Sequence, residues 1–287
     1  MHRHFAAVLA GLIATSPQAQ ERPLPEAQSF LQSVRQHLET DDQRQSGYMY
    51  VETRREEKLD KDGRSTGKSV KVFESYPALP GETRWNRLIA ENGRPIPPTE
   101  LEKADRDRRK HVEDYAQKVA KDPAKERARL DRDRDREWRE RTAAIDDIFR
   151  VFDIRMIGRE SVEGHDTIVF TLTPRPGVKA RTREGDIMRS FAVRAWISES
   201  DYELVRLDVE AVDTLSFGFG LLARVHKGSR GSFQRRKVNG EAWLPAVATF
   251  TGSARVGLVK TIRRGGTLEF SNYKKFNVET TATYTPR

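Results

Sequence analysis

Residues 190–198 read SFAVRAWIS and residues 203–213 read ELVRLDVEAVD, with the polar stretch ESDY between them. In the second segment Val205, Leu207 and Val209 alternate with charged residues, so one face of the segment is apolar and the other is polar. Such alternation is typical of a half-buried β-strand, and a short polar turn between two such runs predicts a hairpin. These residues therefore predict that the fold is built on antiparallel sheet.

Similar segments extend in both directions from this hairpin, separated by turn signals such as Asn239-Gly240. Their spacing of roughly ten residues is that of an antiparallel meander, sandwich or barrel. The pattern predicts an α+β protein that is mainly antiparallel β. The further predicted strands are 48–58, 68–76, 82–91, 148–158, 166–174, 215–226, 231–238, 241–251, 253–262, 267–276 and 277–284.

Two segments favour helix. Residues 26–44 place Phe30, Leu31, Val34 and Leu38 at helical spacing, which predicts an amphipathic helix packed on the sheet. Residues 99–146 are rich in charged helix formers, and Thr99 with Glu102 suggests a capping box at their start. Because opposite charges lie three and four residues apart, we expect a solvated helical insertion. The pattern leaves open whether it is a lid or a partner-binding arm.

The N-terminus has a short basic start and then about ten apolar residues, the layout of a secretory signal peptide. We expect residues 1–20 to be removed, with the cleavage point undecided between positions near Ala14 and Ala19, and residues 21–287 to form a single periplasmic domain. No other stretch is apolar enough for a transmembrane span. The chain has no cysteine, which excludes disulfides, cysteine metal sites and a thiol nucleophile.

No motif for covalent chemistry occurs in the predicted mature chain. The histidines are not paired at metal-ligand spacing, and neither a G-x-S-x-G elbow nor a glycine-rich phosphate loop is present. Acidic residues are so numerous that no single pair identifies a general acid and base. We therefore expect no enzyme activity, no metal site and no cofactor.

The net charge of +9 resides in the C-terminal part of the chain. Basic and acidic residues nearly balance over 99–141, whereas basic residues predominate over 174–287, notably in 175–183 and 224–237. These loops could contact an anionic envelope surface or headgroup, or could simply be solvated. Aromatic residues are nearly absent among these charges, which argues against a nucleic-acid partner.

The strand predicted at 215–226 places Phe217 and Phe219 on one face, with Gly218 and Gly220 between them. Glycine inside a strand indicates a bend, a bulge or a close approach of another backbone. A sheet curved at this point could wrap around an apolar ligand, or its core could simply curve around the N-terminal helix.

The order of these segments resembles the periplasmic lipoprotein-carrier superfamily, which includes LolA, LolB, RseB-like and outer-membrane lipoprotein-sorting proteins. The resemblance rests on the hairpin strand Val193–Ser198, on Ala242-Trp-Leu-Pro245 and on the strand opening at Tyr48. It implies a curved, unclosed half-barrel sheet whose concave face, covered by helices, holds acyl chains. The charged insertion at 99–146 departs from that pattern, since single-domain carriers have shorter lids.

The resemblance implies a non-enzymatic carrier or binding protein for a lipid, an acyl chain or a lipoprotein. The alternative is an envelope interaction or stress-sensor module that binds a protein partner. Bulky apolar residues on the predicted strands are the candidates for the groove, and some of them could equally belong to an ordinary core. The candidates are Trp85, Phe170, Trp196, Phe217, Phe219 and Phe250.

Overall fold

The computed structural model describes residues 22–217, 223–256 and 260–275. Within these ranges the side chains of 39–44, 216, 217, 223, 224, 254–256, 260 and 261 are not described. The predicted signal peptide and the predicted strand 277–284 lie outside the described residues.

The chain forms four helices and thirteen strands over the described residues. In chain order they are α1 (Ala27–Ser46), β1 (Tyr48–Leu59), β2 (Ser65–Tyr76), β3 (Trp85–Glu91), β4 (Arg94–Pro95), α2 (Pro98–Lys121), α3 (Pro123–Val151), β5 (Phe152–Val162), β6 (His165–Pro174), α4 (Arg183–Met188), β7 (Phe191–Ser198), β8 (Leu204–Ala211), β9 (Leu215–Phe217), β10 (Ala223–Val225), β11 (Arg230–Val238), β12 (Ala242–Val256) and β13 (Lys260–Lys275).

All the strands belong to one antiparallel sheet. Its main path runs β4-β3-β2-β1-β13-β12-β11-β8-β7-β6-β5, and the short β9 and β10 continue from β12. Within the described ranges no pairing joins β4 to β5, so the sheet is unclosed. The register shifts in several ladders, for example between Met156 and Gly158 and between Gln234 and Arg235. Such bulges bend strands and increase their twist, which curves the sheet. The predicted fold class is confirmed.

The helices α1 and α2 pack on different parts of this sheet. Phe30 and Val34 of α1 are buried against Phe170, Ala195 and related residues of β6 and β7. The ring of Phe30 stacks on that of Phe170 with centroids 5.8 Å apart. α2, by contrast, buries none of its residues. It is held to β3 by the paired bonds from Arg87 to the Asp105 carboxylate, at 2.7 and 2.8 Å.

Some predicted boundaries are wrong. α2 begins at Pro98 with no side-chain cap, so Thr99 is not the capping residue; proline at the first helical position starts the helix instead. The strand predicted at 148–158 begins only at Phe152, because α3 continues to Val151. The two strands predicted at 241–251 and 253–262 are one long strand, β12, which ends at Val256.

The strand predicted at 215–226 also differs from the observed structure. Only 215–217 and 223–225 are strands, and residues 218–222 between them lie outside the described part of the chain. α4 was not predicted, because its residues follow a basic stretch that looks like a loop in sequence. The predicted hairpin at 190–213 is present as β7 and β8.

Candidate functional site

An inner cavity of about 260 Å³ lies between the helices and strands β5 to β8. α1, α3 and α4 close it on one side and the sheet closes it on the other. Every residue that lines it is apolar. These residues are Leu31, Val34, Leu38, Ile148, Phe149, Phe152, Ile154, Phe170, Leu172, Met188, Phe191, Val193, Ala195, Ile197, Leu204, Leu207 and Val209.

The strand register creates the floor of this cavity. Phe170 pairs with Ala195, and Ala195 pairs with Leu207, so the three side chains form a row across β6, β7 and β8. Alternate residues of a strand point to the same face, so Leu172, Val193 and Val209 form the next row. The small side chain of Ala195 between two larger neighbours leaves part of the space that the cavity occupies.

The wall formed by α4 is fixed by a buried carboxylate. Asp147 of α3 has no solvent exposure. It accepts hydrogen bonds from the backbone N–H groups of Arg181 and Thr182, at 2.9 and 2.8 Å, and from the Thr182 hydroxyl at 2.7 Å. Gly185 of α4 lies so close to the carboxylate that a Cβ at that position would collide with it. This contact orients α4 and thereby Met188, which faces the cavity.

Burial alone would raise the pKa of Asp147, but the hydrogen bonds from Arg181 and Thr182 outweigh burial and hold the pKa below its usual value. The carboxylate is therefore charged at neutral pH. Its hydrogen-bonding capacity is used to hold the chain segment that precedes α4, which makes it a structural group.

An open outer groove of about 610 Å³ continues from the inner cavity over β10 to β13. Phe191 and Val209 line both spaces, so these two side chains separate them. The Phe250 ring lies against Gly266, where any side chain would collide with it. Arg264 lines the groove at its far side. The groove therefore joins an apolar interior to a charged rim.

The same sheet face becomes polar beyond the outer groove. Arg264 also lines a depression of about 520 Å³ over β1 to β3. Lysines and glutamates, including Lys58, Lys71 and Glu56, surround this depression. Along one continuous face the lining thus changes from wholly apolar beneath α1 to charged at β1 to β3.

Of the six residues predicted for the groove, Phe170 lines the inner cavity and Phe250 lines the outer groove. Trp196 follows Ala195 in β7 and points to the opposite face. There it lies between the guanidinium groups of Arg194 and Arg206, at 4.9 and 4.7 Å from its centroid.

The other three predicted residues lie elsewhere. The Trp85 ring packs on Tyr76 at 5.0 Å and faces Arg108 of α2, away from both spaces. The side chain of Phe217 and the whole of Phe219 lie outside the described part of the structure.

Sequence reasoning missed the cavity residues that come from the helices. It placed Leu31, Val34 and Leu38 on the apolar face of α1, but as packing residues and not as a cavity wall. Ile148 and Phe149 were assigned to a strand, although their distance of three and four residues from Ile145 is a helical signal. Met188 carries no pattern that would have identified it.

The described part of the structure contains no candidate metal site. Over residues 22–217, 223–256 and 260–275, no group of three or more His, Asp or Glu residues could hold a metal ion. His37 bonds the carbonyl of Ser33 at 2.9 Å, and the ring of His165 packs on Trp243 at 4.8 Å. In the same ranges, none of the helices has the length and apolar character needed to cross a membrane.

Comparisons with known proteins find similar solved structures. No family model matches the chain, and no curated protein matches it. The chain is similar to a domain named for outer membrane lipoprotein sorting from Vibrio parahaemolyticus, at 8% identity and a TM-score of 0.36 over 88% of this chain and 94% of that one. It is also similar to a LolA superfamily protein from Nitrosomonas europaea, at 8% identity and a TM-score of 0.27 over 88% and 97% of the two chains.

A third similar structure is a chain of the MucA/MucB complex of Pseudomonas aeruginosa, at 8% identity and a TM-score of 0.24 over 87% of this chain and 99% of that one. The superfamily that the sequence resembles is represented among these structures.

Proposed function

We propose that this protein is a non-enzymatic periplasmic carrier or binding protein that holds an acyl chain, as part of a lipid or a lipoprotein, in the inner cavity and outer groove. The observation that supports the proposal most is the inner cavity, a space of about 260 Å³ without a single polar residue in its lining. A water molecule would be unstable in an apolar space of this kind, because a buried water needs two to four polar partners.

The size of the space supports a ligand larger than a solvent molecule. An engineered apolar cavity of about 150 Å³ in another protein stays dry and binds benzene. The outer groove alone, at about 610 Å³, falls within the range of about 300–1,000 Å³ that is usual for ligand sites. Each methylene group transferred from water into such a site contributes about 0.8 kcal/mol to binding.

The proposal includes the domain organisation and the location. Residues 1–20 act as a cleaved signal peptide, and residues 21–287 form one domain whose helical insertion, predicted at about 99–146, corresponds to α2 and α3. Export to the periplasm brings the protein to envelope lipids. The basic C-terminal loops then favour approach to an anionic envelope surface, and nucleic acid is not a partner.

The test fills the ligand space and leaves the rest of the sheet intact. In Val209→Trp a large ring replaces the side chain that separates the two spaces, whereas the control Asp208→Trp places the same ring on the opposite face. Asp208 pairs with Arg206 in a partly exposed ion pair, which contributes little to stability. Cooperative unfolding in urea verifies that both variants fold.

Two measurements read out binding. The purified mature proteins are extracted with solvent, and the extract is analysed for lipid by mass spectrometry. Binding of a dansyl-labelled undecanoic acid is then measured by fluorescence. We expect wild type and Asp208→Trp to bind the probe and Val209→Trp to lose at least tenfold in affinity. If wild type carries no lipid and binds no probe, the carrier function is refuted.

A second function, a module that binds a protein partner, is supported by the exposed surface of α2 and α3. α2 buries no residue, and Trp138 of α3 is 45% exposed, which is unusual for a large aromatic side chain. Deletion of residues 100–140 separates the two functions. Loss of partner binding with retained acyl-chain binding would favour the protein-binding module. Loss of acyl-chain binding would instead indicate that these helices form part of a lid over the ligand.

A further inference from the structure

We infer that the ligand is an unbranched acyl or alkyl chain that enters with its methyl end first, and that Phe191 sets the chain length the inner cavity accepts. The inference rests on the proposed carrier function and specifies its ligand. Three features of the structure lead to it: the lining of the inner cavity, the position of Phe191 and the two volumes.

The lining determines the orientation of the chain. A polar headgroup in the inner cavity would meet no hydrogen-bonding side chain, which is unfavourable for any buried polar group. The outer groove offers the hydroxyl group of Ser229 and the guanidinium group of Arg264. Arg264 is engaged in an exposed ion pair with Glu56. Such pairs are weak and can exchange for an anionic headgroup. The methyl end therefore lies inside.

The position of Phe191 makes it the partition between the two spaces. It opens β7, pairs with Ala211 across the ladder and lines both the cavity and the groove. The carbonyl of the preceding Ser190 accepts a hydrogen bond from Val212 N–H at 2.8 Å, which fixes the backbone. Beside the partition, Gly231 has no side chain, and a Cβ there would lie 3.3 Å from Val209 Cγ2. The passage is thus limited by side chains and not by backbone.

The volume of the inner cavity indicates the length of the chain that it can hold. An apolar cavity of about 150 Å³ holds the six carbons of benzene, so a cavity of about 260 Å³ holds roughly ten carbons. Each methylene buried up to that length strengthens binding about fourfold. Further methylenes lie beyond Phe191 in the open groove, where they remain partly in water. The gain in affinity per methylene therefore drops at about ten carbons.

The experiment measures affinity against chain length with the mature protein. Saturated fatty acids from hexanoate to octadecanoate displace a dansyl-labelled fatty acid, and a second series uses lysophosphatidylcholines of the same lengths. The two series tell whether the chain is taken as a free acid or on a lipid. The break in slope should lie near ten carbons in whichever series binds.

Variants at Phe191 test the partition. Phe191→Ala and the milder Phe191→Leu should shift the break to longer chains, and Phe191→Trp should weaken binding of chains longer than ten carbons at least tenfold. Phe233→Ala is the matched control, since Phe233 lies beside Leu207 and lines neither space. In this control, the break in the slope of affinity against chain length should stay at the same chain length as in wild type.

The possible results separate the inference from the proposed function. If wild type binds neither series, the carrier function fails. If wild type binds chains but affinity rises without a break, or the break stays in place in both Phe191→Ala and Phe191→Leu, the carrier function stands and the role of Phe191 is overturned.

Discussion

The buried carboxylate of Asp147 provides a stringent test of how α4 is held against the inner cavity. Replacing it with asparagine keeps the shape of the side chain but removes the charge and turns one acceptor oxygen into an NH2 donor. The N–H groups of Arg181 and Thr182 and the Thr182 hydroxyl all donate to the carboxylate. At least one of these donors must then face another donor.

The expected loss follows from these contacts. A hydrogen bond to a charged acceptor contributes about 1.5–3 kcal/mol, and a buried donor left without a partner costs about 1–3 kcal/mol. We therefore expect Asp147→Asn to lower the free energy of unfolding by about 3 kcal/mol at neutral pH. The neighbouring Asp146 is a suitable control, because its side chain is 45% exposed and pairs with Arg35 at the surface. Asp146→Asn should cost at most about 1 kcal/mol.

The pH dependence gives an independent readout. The pKa of Asp147 is lower in the folded protein, because hydrogen bonds to Arg181 and Thr182 overcome the effect of burial. The charged carboxylate therefore stabilises the fold above the unfolded pKa of about 3.9, and this stability is lost as the pH falls through the lower folded pKa. The difference between wild type and Asp147→Asn should shrink below about pH 4.

Urea unfolding of the three proteins at several pH values measures both effects. Asp147→Asn should also weaken acyl-chain binding, since α4 carries Met188 and leads into Phe191. An unfolding midpoint of Asp147→Asn equal to that of Asp146→Asn would refute the reasoning. The reasoning would also be refuted if the difference in free energy of unfolding between wild type and Asp147→Asn did not change with pH.

Two further predictions concern the two faces of the sheet. Phe30→Ala removes the ring that stacks on Phe170 at 5.8 Å and lies tilted against Tyr202 at 5.2 Å; we expect the free energy of unfolding in urea to fall by about 3–5 kcal/mol, and an unchanged midpoint would show that α1 does not pack there. Trp196→Phe removes the 2.7 Å hydrogen bond from the indole to Glu160; we expect a loss of about 2 kcal/mol with unchanged chain binding, and weaker chain binding would contradict its position on the outer face.

The presence of most of the strands was predictable because their signals are local. Alternation identified β7 and β8, and Asn239-Gly240 marked a turn in which both residues adopt positive φ, at 52° and 70°. Two-residue turns of that kind favour asparagine followed by glycine. The end of α3 was not predictable in the same way. Ile148 and Phe149 have strong strand propensity, yet they remain helical because they face α1 and the inner cavity.

The candidate site was less predictable than the fold, because alternation gives two sets of side chains and does not tell which set faces the helices. The sequence analysis predicted the bulky Trp196 as a groove residue, but it is the neighbouring Ala195 that lies in the floor of the inner cavity. Trp196 pairs across the ladder with Arg206, in the same register that pairs Ala195 with Leu207. A space for ligand arises where side chains are small, so choosing the largest residues selects against part of its lining.

The basic excess of the C-terminal part has more than one physical role, which a count of charges cannot resolve. Arg235 is only 2% exposed and donates to the carbonyl of Leu204 at 3.2 Å. Lys237 binds the Asp201 carboxylate at 2.8 Å. Both residues therefore stabilise the sheet. Arg264 instead lies at the rim of the outer groove in an exposed ion pair. Of these three cations, Arg264 is the one placed to meet an anionic headgroup whose chain enters past Phe191.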